Sequence, residues 1–117
     1  MGLKYFRELG VWRKSHLLVL ELYKVSESWP KSESFGLTHS VRRSATGLAT
    51  RIAEGCGRDS NVEFSVELRR AKAGASELEY LVLLAQDLGH LSPDDHKKLS
   101  AEIVEVRKML SGLLRKL

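Results

Sequence analysis

Apolar residues return every three or four positions through four long stretches of the chain. The clearest is Leu37 to Arg58, LTHSVRRSATGLATRIAEGCGR, where Val41, Ala45, Leu48 and Ile52 share one face with Ala49 beside them. At ~100° per residue that spacing defines an amphipathic helix. Val11, Ser15, Leu18, Leu22 and Val25 repeat the pattern, widened by Trp12, Val19 and Tyr23. Phe64, Leu68, Ala71, Ala75, Leu78, Val82 and Ala85 form a third stripe, and Leu99, Ile103, Val106, Leu110, Leu113 and Leu117 a fourth. Helices are therefore expected at about 11–28, 38–55, 61–88 and 93–116.

The punctuation agrees with the periodicity. Trp29-Pro30 closes the first segment, because the residue before proline avoids helical geometry. Thr38 is the expected cap of the second, and Gly55 and Gly57 its stop, glycine tolerating a left-handed C-terminal cap. Ser60-x-x-Glu63 is a capping box, and Gly89 ends that helix. Ser92-Pro93-Asp94-Asp95 combines a cap, a first-turn proline and acids at the positive end of the helix dipole. Aromatic burial makes Trp29 and Phe35 the expected anchors of the polar 31–36 connection, with Tyr5, Phe6 and Leu9 folding back on the core. No strand pattern, repeat or low-complexity tract interrupts the helices. Short connections favour antiparallel neighbours, so the fold class is all-α, an up-down-up-down four-helix bundle spanning 1–117 as one domain.

Some apolar residues do not belong to that core. Leu17 and Leu20 point away from the first seam. Val66, Ala73, Tyr80, Leu81, Leu84 and Leu88 occupy the far side of the third helix. A helix apolar all round is buried all round, so Leu17, Leu20, Tyr80, Leu81, Leu84 and Leu88 are expected at an oligomer interface. Ser40, Ser44 and Gly47 form a line of small residues, and Lys72-Ala73-Gly74-Ala75-Ser76 a second small patch. A mid-helix glycine costs about 1 kcal/mol relative to alanine, which favours close packing as the reason for Gly74. That packing lies either within one bundle, where Ser44 and Gly74 would touch, or between subunits.

Composition narrows the class. The chain has 117 residues, 43% hydrophobic and 29% charged, with two prolines and a formal net charge of +4. Such a length buries roughly two-thirds of the unfolded surface in a single core. The basic balance permits binding to nucleic acid or an anionic surface without requiring it. Cys56 is the single cysteine, which excludes an intrachain disulfide and a thiolate metal cluster. The N-terminus lacks a signal-peptide core, and Phe6 stands where a myristoylation signal needs Ser or Thr. The longest apolar runs fall well short of the ~20 residues of a membrane span. The expected location is cytoplasmic.

Catalytic chemistry finds no foothold. His16, His39, His90 and His96 lack the i, i+4 spacing of a helical zinc site, so no metal or cofactor is expected. Gly55-Cys56-Gly57 is not a phosphate loop, and no base stands beside a nucleophile. Glu77 and Glu79 point in directions ~160° apart on a helix. A carboxylate near apolar surface needs a cationic partner, so Arg42 or Arg43 is expected to pair with Glu54, Glu77 or Glu79, within or between subunits. The remaining signal is basic: Arg42, Arg43, Arg51, Arg58, Arg69, Arg70 and Lys72, interleaved with Glu54, Asp59, Glu63 and Glu67. This set reads either as a solvated mixed-charge face or as a phosphate-binding surface. No aromatic row accompanies it, so backbone contacts fit better than base stacking.

Several motifs, taken in order, resemble one family. They are Leu9-Gly10-Val11-Trp12, Trp29-Pro30, Glu33-x-Phe35-Gly36-Leu37-Thr38, Arg42-Arg43-Ser44-Ala45, Ile52-Ala53-Glu54-Gly55 with Arg58, and Ala73-Gly74-Ala75-Ser76-Glu77-Leu78-Glu79. Together they look like the bacterial four-helix-bundle proteins called large-subunit rRNA intervening-sequence proteins. They are also similar to the accessory variability determinants of diversity-generating retroelements. The resemblance implies a four-helix protomer in a ring-shaped homopentamer, associated with nucleic acid and without a known enzymatic activity. The chain departs from the family pattern at Arg51, where Asn is usual, and at Ser40, where Gln is common. The expected function is a non-enzymatic homo-oligomer that contacts RNA or DNA phosphates through Arg and Lys. The alternative is an oligomeric scaffold for a protein partner, such as a nucleic-acid-processing enzyme, a reverse transcriptase being one type.

Overall fold

A computed structural model describes residues 5–117 and contains four long helices: α1 Gly10–Ser26, α2 Leu37–Cys56, α3 Asn61–Asp87 and α4 Pro93–Leu114. Short 3-10 turns at Phe6–Glu8 and Lys31–Glu33 precede α1 and α2. No strand occurs among the described residues. Each helix packs on its chain neighbour, and α1 closes the bundle against α4. The result is elongated, 47 × 23 × 20 Å. The core is the set that periodicity marks, with Leu22, Val41, Ala45, Ile52, Leu68, Leu78, Val82, Ile103 and Leu110 fully buried. Each large aliphatic side chain removed from water stabilises the bundle by about 1.5–3 kcal/mol.

The helix ends follow local chemistry. Ser60 accepts from the Glu63 N–H at 3.1 Å, and the Glu63 carboxylate accepts in return from the Asp59 N–H at 3.2 Å. Ser92 accepts from the Asp95 N–H at 3.1 Å. Gly89 lies past the end of α3 at φ +82°, the left-handed geometry that suits glycine.

The start of α2 differs from expectation. The helix begins one residue before Thr38, and the Glu33 carboxylate accepts from the Leu37 N–H at 3.1 Å. His90 holds Glu33 from the other side at 3.0 Å. A carboxylate is the stronger cap because it also answers the helix dipole. The loop anchor is Trp29, which is buried; Phe35 is 97% exposed. A non-periodic loop carries no signal for side-chain direction. Phe6 and Leu9 pack on the core as expected, while Tyr5 is exposed with its ring 5.0 Å from that of Phe6.

The end of α2 also has a different cause. Gly57 caps at φ −87°, so no left-handed residue is involved. Gly55 lies inside the helix, pressed on α3. A Cβ there would stand 2.7 Å from Phe64 Cδ1 and 3.2 Å from Glu67 Cβ. Glycine is needed for the approach of the two helices. Gly55→Ala is expected to destabilise the protein by about 1–3 kcal/mol through overpacking, despite alanine's better helix propensity. Urea denaturation measures it; an unchanged or raised midpoint contradicts the pinch.

One polar contact crosses the α1–α4 seam. Lys98 pairs with Glu21 at 2.9 Å, and Glu102 lies beside Glu21 with Oε1 buried and unpartnered. Burial and the adjacent Glu21 carboxylate push the Glu102 pKa up to about 7, from an ordinary 4.5. Protonated Glu102 can donate to Glu21, whose own pKa is lowered. The folded protein thus holds a proton that the unfolded chain releases between about pH 4.5 and 7. Stability from this group is full below that window and is lost as pH rises through it. Thermal midpoints should fall between pH 5 and 7.5 in the wild type, and Glu102→Gln should flatten that fall. A Gln variant with an unaltered pH dependence contradicts the assignment.

Candidate nucleic-acid interface

The basic residues on α2, α3 and their turn are sorted by geometry into separate sites. A groove of about 660 Å³ lies between α2 and α3. Arg43, Arg51 and Arg70 stand on its walls with Glu77, over Ser44, Gly47 and Gly74. Arg42, Arg58, Arg69 and Lys72 do not line it. Arg42 turns to α1, where Nε donates to Ser26 Oγ at 2.9 Å and Nη2 to the Tyr23 carbonyl at 3.2 Å.

The groove exists because small residues, Ser44, Gly47 and Gly74, line its floor. A Cβ at Gly47 or Gly74 would meet nothing within 4 Å. The expected packing of Gly74 inside the bundle is therefore absent. Two mid-helix glycines that relieve no contact within the chain leave a strip of helix backbone uncovered by side chains. The Ser44 hydroxyl lies on the floor, buried and without a hydrogen-bond partner. Such an orphan normally costs about 1–3 kcal/mol.

At one end, α2 and α3 are clamped by Glu67, a residue whose role the sequence reading missed. It is 2% exposed. Arg58 donates to Oε2 from Nε at 3.2 Å and from Nη2 at 2.6 Å. Arg70 lies 3.5 Å from Oε1 and Arg51 3.8 Å. The Arg58 hydrogen bond overcomes burial and lowers the Glu67 pKa, and Glu67 in turn raises that of Arg58. The signal was present: Glu67 falls three residues after Phe64 and four before Ala71, on the core face. A charge there demands partners.

The expected pairs of Arg42 and Arg43 with Glu54, Glu77 or Glu79 do not form among the described residues. Glu79 faces α4 and pairs with Arg107. Glu54 lies 3.9 Å from Arg51, its neighbour one turn back. Arg43 and Glu77 make no ion pair among the described residues. The reason is rotational: Glu79 and Glu77 leave α3 on different sides, and only Glu77 faces the groove.

The expected interface residues divide as well. Leu17, Leu20, Tyr80 and Leu88 are exposed, joined by Leu83. Leu81 and Leu84 are half-buried against the core. No three His, Cys, Asp or Glu side chains converge on a metal position among the described residues. Cys56 is buried, and burial raises its thiol pKa, which leaves it poorly nucleophilic. No helix of the described residues is long and apolar enough to cross a membrane.

These features define an all-α, four-helix protein with an arginine-walled groove. The sequence pattern of the 23S rRNA-intervening sequence protein family matches residues 7–112, and the chain belongs to that family. It is also similar in fold to a protein of unknown function from the S23 ribosomal protein family of Bacteroides thetaiotaomicron. That likeness has a TM-score of 0.80 at 21% identity, covering 89% of this chain and 97% of the other. No curated protein matches the sequence.

Glu67→Gln should cost stability, about 1–3 kcal/mol for a buried charged acceptor with half-exposed partners. The loss should be largest at neutral pH. The lowered pKa means that this carboxylate contributes above the usual carboxylate range and ceases to contribute as acid protonates it. Equal urea midpoints for variant and wild type at pH 7 would contradict the clamp.

Proposed function

We propose that this protein is a non-enzymatic, homo-oligomeric bundle that binds nucleic acid through phosphate contacts in the α2–α3 groove. The observation that carries this reading is Arg43, Arg51 and Arg70 standing over bare glycine backbone. Three guanidinium groups against one groove carboxylate give a positive channel. Guanidinium forks match phosphate oxygens in pairs. The glycines let a sugar–phosphate strand approach the helix backbone. The family's description as an rRNA-intervening sequence protein points to the same class of partner.

Oligomerisation supplies the rest. The short connections of 4 residues between α2 and α3 and 5 between α3 and α4 favour antiparallel, up-down-up-down helices. Leu17, Leu20, Tyr80, Leu83 and Leu88 leave apolar surface exposed on the protomer, and a ring of copies, a pentamer by family resemblance, would cover it. A ring also multiplies a modest patch, because phosphate contacts add through counterion release. The working location for such a protein is the cytoplasm.

The test is a titration of labelled structured RNA and duplex DNA across a salt series. Wild type should lose affinity steeply with salt. Arg43→Gln/Arg70→Gln, still assembled, should weaken binding about tenfold or more and reduce the salt slope by about 2. Arg69→Gln, outside the groove, should change the slope by less. No binding at low salt would overturn the reading and leave a protein partner as the groove's occupant.

A further inference from the structure

A second concavity lies on the other flank of α2, and its lining is chemically one-sided. Tyr23, Ser34, Thr38, His39, Arg42, Arg43 and Thr46 enclose about 440 Å³, and no carboxylate is among them. We infer that this pocket, at the junction of α1, the 27–36 connection and the first turns of α2, is a binding site for a phosphate group.

Three observations place an anion there. The first is Thr38, a residue 8% exposed that lies on the pocket lining. Its hydroxyl can donate to an anion seated in the pocket. The second is Arg42, whose guanidinium is held before any ligand arrives. Nε is fixed by Ser26 Oγ at 2.9 Å, Nη2 by the Tyr23 carbonyl at 3.2 Å, and Cζ lies 4.6 Å from the Tyr23 ring centroid. Nη1 makes none of these bonds and remains to donate. A cation fixed by its own neighbours loses little freedom on binding. The third is Arg43, which makes no ion pair among the described residues and lines both this pocket and the α2–α3 groove.

The helix adds to the field. The N–H groups of Thr38 and His39 find no acceptor among the described residues, and the first turn of a helix favours negative charge. Glu33 accepts from the preceding N–H, of Leu37, but its carboxylate is engaged by His90 and lies outside the pocket lining. Two guanidinium groups, an imidazole and hydroxyls provide the donors a phosphate requires. The site does not rest on the groove reading, since Arg43 is the one residue they share.

Two sources offer this chemistry: a free or terminal phosphate, and an internal phosphodiester of a nucleic acid strand. The experiment is an amide and arginine Nε–H NMR titration of the full chain with sodium phosphate against sodium chloride at matched ionic strength. Phosphate should move the Thr38, His39 and Arg42 signals saturably, and chloride should not. Thr38→Val should weaken phosphate binding about fivefold and Arg43→Gln about tenfold, while Arg70→Gln leaves it unchanged. Trinucleotides with and without a 5′-phosphate then separate the sources. Competition only by the 5′-phosphorylated form assigns a terminal phosphate, and competition by both assigns the backbone. Shifts no larger with phosphate than with chloride, or wild-type affinity in both Thr38→Val and Arg43→Gln, would overturn the site. Loss of RNA binding in Arg70→Gln with phosphate binding retained would separate the groove from the pocket.

Discussion

The close approach of α2 to α3 at Gly55 is the constraint on which the site depends. Phe64 and the Glu67 stem occupy the space a side chain at 55 would need. That contact draws the buried Glu67 carboxylate between the helices, and Arg58, Arg70 and Arg51 gather on it. The two helices are thus fastened at the turn that joins them. Further along, Ser44, Gly47 and Gly74 are too small to fill the same interval, so the helices leave a groove instead of a seam. One device closes the interface at its end and small residues open it beyond.

Charge follows from this geometry. Seven basic residues from two helices and a turn look like one patch along the sequence. In space Arg58 is spent on Glu67, Arg42 turns to α1 and the second pocket, and Arg43, Arg51 and Arg70 face the groove. Arg51 and Arg70 also lie near the Glu67 carboxylate. That neighbour dilutes their charge but also steers them to the groove wall, where a phosphate would find them already oriented. Arg43 is different, making no ion pair among the described residues and lining two concavities from α2. It is the residue through which groove and pocket can act together.

The helices and their core were legible because burial and helical period produce a repeating signal. Leu22, Val41, Leu68, Val82 and Ile103 were readable in this way, as were the caps at Ser60 and Ser92. Direction outside a periodic segment was not. Phe35 faces solvent while Trp29, six residues earlier, is buried. The role of Glu33 in capping α2 depends on His90, 57 residues away, and no local pattern records such a contact. Glycine is ambiguous in the same sense. Gly55 and Gly74 both sit inside helices, yet one is there because a neighbour is too close, while a Cβ at the other would meet nothing within 4 Å. The difference is set by helix–helix distance, which sequence period does not encode.

The most direct test of the central claim, that the α2–α3 groove seats a nucleic acid backbone, is to map the contact. The full chain would be crosslinked to 4-thiouridine-substituted RNA by near-ultraviolet light, and the modified peptides identified by mass spectrometry. The account expects crosslinks concentrated on 40–51 of α2 and 70–81 of α3, suppressed by competitor RNA and reduced in Arg43→Gln/Arg70→Gln. Crosslinks centred on the exposed face of α1 or on α4, with the groove peptides unmodified, would contradict it.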